Sequence, residues 1–386
     1  MRSGMLRVAV VGTGSWAQRA HLPAWLRDGR AEVVAIADTN PDALAQAAAT
    51  FAVSRTVADY RDLLTDPDID VVDVVTGNRP HFEISWAALE AGKHVLCEKP
   101  VHPDHRKTRQ AADLAAAKGL KTKVGFTFRY APAIQLARQL IDDGYVGEPY
   151  IFNGFEQNSQ WIDPATPLRQ VDPHADPDRI AVSSIEGYGA PIIDIMHWWL
   201  GAPLQAVVGT MRNFVPVRMV RDTGQMTRAN IDDGDMWIAE FGSGALASIQ
   251  SSYVTVGNYP GIEARIYGSE GALIVRLVDE FGICQTIKTA RKDAVEFTER
   301  EIPSRFFPPG GHSREPWEYL FYSNLISDFI TEIRDDAAIT QGDFGQAALV
   351  QETINAFEAS HRTRAWISFP LDGDGGRGPD NLFEGG

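Results

Sequence analysis

This chain is poor in cysteine, short of positive charge and free of long apolar runs, and each shortage removes a class of protein. Only Cys97 and Cys284 occur in 386 residues, too few for a disulfide framework and without the paired spacing of a zinc site. Cys97 falls in an apolar run, where an inert buried thiol is expected. Lys and Arg number 36 against 51 Asp and Glu, and the formal charge of −15 argues against a nucleic-acid partner, which needs a basic surface. Apolar residues never run on for the roughly eighteen positions that a membrane-spanning helix needs. The first such run breaks at Gly12, so no secretory leader is expected and the reading is cytoplasmic, with no membrane partner. The remainder, 44% hydrophobic and 23% charged, is ordinary globular composition and long enough for two domains.

What is present begins with an apolar run at 6–11 that breaks into Gly12, Thr13, Gly14, Ser15, Trp16 and Ala17. A strand that ends in such a turn delivers a pyrophosphate to a helix N-terminus: Gly12 permits the turn, Gly14 lets backbone approach phosphate, and Ala17 lets helix and strand pack. A second β-branched run at 32–37 ends in Asp38, placed where a carboxylate would bind ribose hydroxyls.

Further strands are expected at 71–75, 94–97 and 121–125, separated by helices at 41–51, 81–91 and 103–118. That alternation predicts an α/β Rossmann domain, a doubly wound parallel sheet, over 1–127. After a helix at 131–142 the pattern changes to longer alternating strands, with two late helices at 319–334 and 344–361. This predicts an α+β domain over 128–371 with a large open, mainly antiparallel sheet, and a Gly- and Asp-rich tail at 372–386 is read as disordered. The outer sheet face, assigned Trp237, Ile249 and Tyr253, would be poorly placed in water, so a homodimer or homotetramer through it is expected.

The glycine turn, the run Thr76, Gly77, Asn78, Arg79, Pro80, His81, the tripeptide Glu98, Lys99, Pro100 and the later Gly268 to Gly271 segment together resemble the Gfo/Idh/MocA oxidoreductases. That family is named for glucose-fructose oxidoreductase, inositol dehydrogenase and a rhizopine-catabolism protein. The resemblance implies a nicotinamide dinucleotide held by Gly12, Thr13, Gly14, Ser15, Trp16 and Asp38, with Thr76, Asn78 and His81 at the nicotinamide ribose and Glu98 and Lys99 beside them. It also implies a sugar, cyclitol or similar polyol as substrate, and a cis bond at Pro100. Independently of the resemblance, a lysine at the carboxyl end of a parallel strand can stabilise an alkoxide developing next to a dinucleotide. The bland alternative for Lys99 is a solvated loop residue. Asp38 favours NAD over NADP, because it would repel a 2′-phosphate and Thr39 and Asn40 offer no arginine.

The chain departs from the family where the family's proton carrier stands. An Asp and a His spaced four apart are implied there, yet counting back from Asp194 and Gly201 those places fall on Gly187 and Pro191. Tyr188 and Glu186, in the same glycine-rich segment, are the replacement candidates, and Tyr188 can equally pack over a sugar ring. His197 is read first as a structural histidine and second as a catalytic one. Glu156, Gln157, Asn158 and Trp161 crowd a strand end with groups that bind vicinal hydroxyls and stack on a sugar, while Arg129 and Asp194 are further substrate candidates. No metal is expected, and the Asp- and His-bearing stretch at 170–179 reads as a solvated loop.

Three functions compete. The leading one is an NAD-dependent oxidoreductase acting on a secondary hydroxyl, with Lys99 handling the proton. The second is an enzyme that retains NAD and cycles it internally to drive elimination, epimerisation or glycoside cleavage. The third is a non-catalytic, cofactor-sensing binding protein.

Overall fold

The computed structural model describes residues 4–168, 179–221, 223–257, 261–278, 285–312, 315–337 and 341–371. Cys284, the stretch 170–178 and the tail from 372 lie outside the described residues. The chain divides into two units, residues 1–131 with 304–351, and residues 132–303 with 352–386.

In the first unit the short apolar runs become β1 (Leu6–Val11), β2 (Ala31–Ala37), β3 (Thr56–Val57), β4 (Val71–Val74), β5 (His94–Cys97) and β6 (Thr122–Val124). Among the described residues they form one sheet in the order β3-β2-β1-β4-β5-β6, parallel throughout. The order reverses between β1 and β4, which opens a crevice at their carboxyl ends. The connecting helices are α1 (Leu22–Arg27), entered through a wide turn at Ala17–His21, then α2 (Pro41–Phe51), α3 (Arg61–Leu64), α4 (His81–Glu90) and α5 (His105–Ala117). Asn40 starts α2 by accepting the Asp42 and Ala43 amides at 3.0 and 3.2 Å, which satisfies donors that the first helical turn leaves over.

A later helix joins this unit. Residues 304–351 were assigned with the second domain by their place in the chain, whereas they cluster with the first. The reason is burial: the helix Trp317–Arg334 puts Tyr322, Leu325, Ile326, Phe329 and Ile330 into the same apolar core as Val8, Val10, Trp25 and Leu96. An ion cluster ties it to β6, where Lys123 Nζ reaches Asp328 at 3.0 Å and Glu332 at 2.7 Å.

The second unit contains α6 (Pro132–Asp142), β7 (Pro149–Gln157), α7 (Ala190–Leu200), β8 (Leu204–Arg212), β9 (Val217–Met219), β10 (Met226–Arg228), β11 (Gly234–Phe241), β12 (Leu246–Ser252), β13 (Gly261–Gly268), β14 (Gly271–Val278), β15 (Thr286–Arg291) and β16 (Thr298–Glu299). The helix Trp317–Arg334 is α8, and α9 (Phe344–Thr363) and β17 (Ile367–Ser368) complete the order. Among the described residues nine strands form a sheet ordered β16-β15-β14-β13-β7-β12-β11-β8-β17, antiparallel except for the pair β7 and β12, while β9 and β10 form a separate hairpin.

One expectation about this sheet is corrected. Trp237, Ile249 and Tyr253 are only 3%, 0% and 8% exposed, so they face inward and not out. Strand alternation puts Met236 and Ile238 on the opposite face, where they are 60% and 49% exposed, in step with Leu246 and Ile151 on neighbouring strands.

Candidate functional site

Residues at the carboxyl ends of β1, β2, β4 and β5 build the first part of the site. Gly12 has a φ of +95°, and a side-chain carbon there would lie 2.6 Å from the Val75 carbonyl oxygen. Only glycine satisfies both demands. The turn it makes is fastened to Asp38, whose Oδ2 accepts the Thr13 amide at 2.6 Å and the Thr13 hydroxyl at 3.0 Å, while Oδ1 accepts the Asn40 amide at 2.8 Å. A carbon on Gly14 would meet nothing within 4 Å, and Gly14 and Ser15 are exposed, so the rim of the turn is open to a phosphate. These residues fit a dinucleotide.

Thr76 and Asn78 lie in the loop after β4 at the neighbouring strand end. His81 does not join them at the surface. It is 1% exposed, with Nδ1 2.8 Å from the Pro100 carbonyl and Nε2 3.1 Å from the Thr76 carbonyl, so it links two loops from beneath. The Lys99–Pro100 bond is cis. Lys99 itself is half-buried, one residue past the Glu98 amide that bonds the Val74 carbonyl at 2.9 Å. Burial pushes the Cys97 thiol well up, in keeping with an inert core cysteine. Arg129 is 2% exposed, which leaves little of it to meet a substrate.

The second unit explains why the expected Asp and His positions are occupied by Gly187 and Pro191. A side-chain carbon on Gly187 would fall 2.6 Å from the Tyr253 hydroxyl, which donates to the Ser183 carbonyl at 2.9 Å and fills the place a longer side chain would take. Pro191 sits in the first turn of α7, where its missing amide is no loss. His197 is 6% exposed, with Nε2 2.9 Å from the Thr353 hydroxyl and its ring edge-on to Phe241. Those contacts hold it inside the second unit, and Asp194, on the same helix, is 0% exposed.

Tyr188 and Glu186 lie in a wide turn, Ile185–Gly189, that leads into α7. Such turns often sit at functional sites. The Tyr188 hydroxyl donates to Gln160 Oε1 at 2.9 Å, and its ring stands edge-on to Tyr253 at 5.0 Å, with Trp161 6.1 Å from Tyr253 on the other side. Burial, helped by the Glu156 charge, pushes Tyr188 up to about 12, so it stays a neutral phenol and a hydrogen-bond donor.

The grouping of Glu156, Gln157, Asn158 and Trp161 is corrected in part. Glu156 is 0% exposed on the inner face, and the next residue points to the other face, where Gln157 pairs with Gln250 at 3.3 Å. Asn158, also 0% exposed, accepts the Gln160 amide at 3.1 Å and so shapes the loop from below. Gln160 is exposed, and Trp161 and Tyr188 beside it are half-buried.

Sequence reasoning missed the residues that hold this edge together. Asp232 accepts the amides of Ser183, Ser184 (3.0 Å) and Ile185 (3.1 Å) and so anchors the turn that carries Glu186 and Tyr188. Burial, opposed by those amides and aided by Asp233, raises Asp232 to about 7. Asp233 pairs with Arg218 at 2.9 Å, both fully buried, and Arg218 in turn donates to the Trp161 carbonyl. Asp235 accepts from Ser251 Oγ. The signal was the acidic run 232–235 leading into an alternating strand, where solvated charge would be unremarkable but burial is not.

Among the described residues no three His, Cys, Asp or Glu side chains are grouped to hold a metal, and no helix is long and apolar enough to cross a membrane.

A glycine turn at the switch point of a parallel sheet, fastened to a carboxylate at the end of the next strand, is the form of a dinucleotide-binding domain, and it is joined here to a second unit with an open sheet. The chain belongs to the Gfo/Idh/MocA family: residues 6–126 match the oxidoreductase family, NAD-binding Rossmann fold, and residues 134–274 match the GFO/IDH/MocA C-terminal domain. Among similar proteins, a levoglucosan dehydrogenase of Pseudarthrobacter phenanthrenivorans is 30% identical over 62% of this chain, and the match spans 63% of that enzyme's own length, less than two thirds. The crystal structure of an oxidoreductase domain protein from Kribbella flavida superposes with a TM-score of 0.84 at 26% identity, covering 95% of this chain and 99% of that one. A levoglucosan dehydrogenase in complex with NADH and levoglucosan superposes with a TM-score of 0.80 at 25% identity, covering 95% and 99%.

Proposed function

We propose that this protein is an NAD-dependent dehydrogenase that oxidises a secondary hydroxyl of a sugar, cyclitol or glycoside, with Lys99 as the residue that handles the proton. The observation that carries the reading is the position of Lys99 at the carboxyl end of β5, next to the crevice where the strand order reverses and the Gly12 turn opens. The relatives named above, a levoglucosan dehydrogenase among them, support the substrate class.

Gly12, Thr13, Gly14, Ser15 and Trp16 would hold the dinucleotide through backbone amides and the helix start, and Asp38 would take the adenosine ribose and favour NAD over NADP. NAD, when bound, supplies the two-electron acceptor. The chain's own part is to bind the hydroxyl, to draw its proton toward the Lys99 amine and to hold that ammonium against the oxygen as negative charge develops. In the second unit we assign recognition of substrate hydroxyls to the edge formed by Gln160, Trp161 and Tyr188, with the Tyr188 oxygen, whose proton goes to Gln160, as acceptor and the indole as stacking surface. The outer sheet face that exposes Met236, Ile238 and Leu246 is the surface through which a homodimer or homotetramer would form.

The test is reduced-nicotinamide absorbance on mixing the protein and NAD with levoglucosan, myo-inositol, scyllo-inositol and a methyl glucoside. Turnover with at least one, abolished in Lys99→Met, is expected. Bound NAD with no absorbance change across the panel would contradict the dehydrogenase reading, and product formed without net reduction would point to internal redox cycling.

A further inference from the structure

Behind Lys99 lies a buried chain of ionisable groups that the dehydrogenase reading does not use. His21, in the wide turn before α1, is 0% exposed and sits between two carboxylates. Its Nδ1 is 2.9 Å from Asp73 Oδ2 and its Nε2 is 3.1 Å from Glu98 Oε1. Asp73, in the middle of β4 and also 0% exposed, accepts a further hydrogen bond from Trp25 Nε1 at 2.7 Å. Glu98 Oε1 also accepts from the Tyr322 hydroxyl of α8, and that hydroxyl accepts from Trp16 Nε1 at 3.0 Å. Opposite, a side-chain carbon on Gly125 would lie 2.3 Å from the same Glu98 oxygen, so the end of β6 leaves room for that carboxylate and for nothing larger.

A parallel sheet covered on both faces is served more cheaply by apolar side chains, since moving ions out of water costs several kcal/mol apiece unless they are well paired. Here three ionisable side chains, an imidazole and two carboxylates, are drawn from the first helical turn, the middle of β4 and the end of β5. They form a chain, Asp73 to His21 to Glu98, and the residue after its last carboxylate is Lys99.

We propose that His21 and Tyr322 are positioning residues that act through Glu98 on Lys99: they lock the Glu98 carboxylate, and the locked carboxylate fixes both the direction in which the Lys99–Pro100 turn leaves β5 and the negative charge that Lys99 feels. The inference rests on the reading of Lys99 given above. The charged and titratable groups facing the network are Asp73 and the Cys97 thiol from the strands, Tyr322 from α8 and Lys99 from the turn. Burial alone would depress His21, but the charge and hydrogen bonds of Asp73 and then Glu98 raise it to about 9, so it is an imidazolium at neutral pH. Glu98, which burial would raise, is held below its ordinary range by His21, Tyr322 and Lys99.

A merely structural network and a positioning one differ in what their removal changes. Tyr322→Phe and His21→Gln are expected to lower kcat about 10- to 100-fold, the scale of a small misplacement of a reacting group, with KM and NAD affinity changed no more than about threefold. The midpoint of the pH-rate profile is expected to move to higher pH in His21→Gln, where the cation behind Glu98 is gone, and to lower pH in Glu98→Gln, where the anion is gone. Nitrogen NMR of labelled histidine gives a readout without turnover: the resonance lost in His21→Gln should report an imidazolium at about pH 7.5 in the wild type.

A neutral His21 at that pH would overturn the inference. So would folded variants with wild-type kcat, or activity losses that follow only the folded fraction while the pH midpoint stays fixed. Lys99→Met separates the two levels: full activity there removes the reading of Lys99 itself, whereas an inactive Lys99→Met beside fully active His21→Gln and Tyr322→Phe removes only the positioning role.

Discussion

Around Lys99 the neighbouring side chains are pinned by partners from β4, from the turn before α1 and from α8, and Glu98 has two donors on one oxygen. Around Tyr188 the pinning lies one layer deeper. Asp232 and Asp233 hold the backbone of the loops, while Tyr188 bonds the exposed Gln160 and the rings of Tyr188 and Trp161 each rest on Tyr253. On the proposed reading, the contrast follows the chemistry assigned to each region. Moving a proton demands a reacting group within a fraction of an ångström of its place, whereas binding the hydroxyls of a polyol tolerates adjustable donors and a flat stacking surface on a firm base.

The largest effect that tests this contrast is expected at Lys99. Lys99→Met should lower kcat by about 10²- to 10⁴-fold, the usual range for a lost proton-transfer group, while calorimetry finds NAD still bound. An equal loss in Tyr188→Phe would erase the distinction between the two regions.

Next comes the glycine turn. Gly12→Ala forces an alanine to a φ of +95° and pushes its methyl against the Val75 carbonyl, so urea unfolding should show a loss of about 2–4 kcal/mol, with weaker NAD binding. A variant as stable as the parent would mean the turn can relax.

The third concerns pH. His21 is raised from 6.5 to about 9 on folding, so its contribution to stability is fully present below about pH 6.5 and is lost as pH rises through about 9. Unfolding free energy should therefore fall over that window by on the order of 3 kcal/mol in the wild type, and much less in His21→Gln. Asp232 gives a different window. Its raised value means the folded state holds a proton that the unfolded state releases, so its contribution declines from about pH 4 to about pH 7, and Asp232→Asn should flatten that segment.

Met236→Glu combined with Ile238→Glu should leave folding intact, because both side chains are exposed, and shift sedimentation from the oligomer to the monomer. Smallest of all, Tyr188→Phe should raise KM for the sugar a few-fold with kcat nearly constant, since the hydroxyl lost is a neutral donor to Gln160.

How far the sequence could be read divides along the same line. The first unit's strands and its glycine turn announce themselves because each is continuous in the chain: Leu6–Val11 runs straight into Gly12, and His94–Cys97 straight into Glu98 and Lys99. Its helix α8 is misplaced because 192 residues stand between the end of β6 at Val124 and its own start at Trp317, and nothing in its own 3.6-residue pattern names its partner. The outer and inner faces of the second sheet were exchanged because alternation shows that a strand has two faces but not which one meets helices. The resemblance groups His81 with Thr76 and Asn78, and only its bonds to the Pro100 and Thr76 carbonyls show why it is buried. The close approach of Gly187 to the Tyr253 hydroxyl joins residues far apart in the chain and has no local signature.

A structure of the protein with NADH and an oxidised polyol bound tests the central claim most directly. The account expects the Lys99 ammonium within hydrogen-bond distance of the polyol oxygen and the dinucleotide over the Gly12 turn. An amine turned into bulk water, with another side chain on that oxygen, would contradict it.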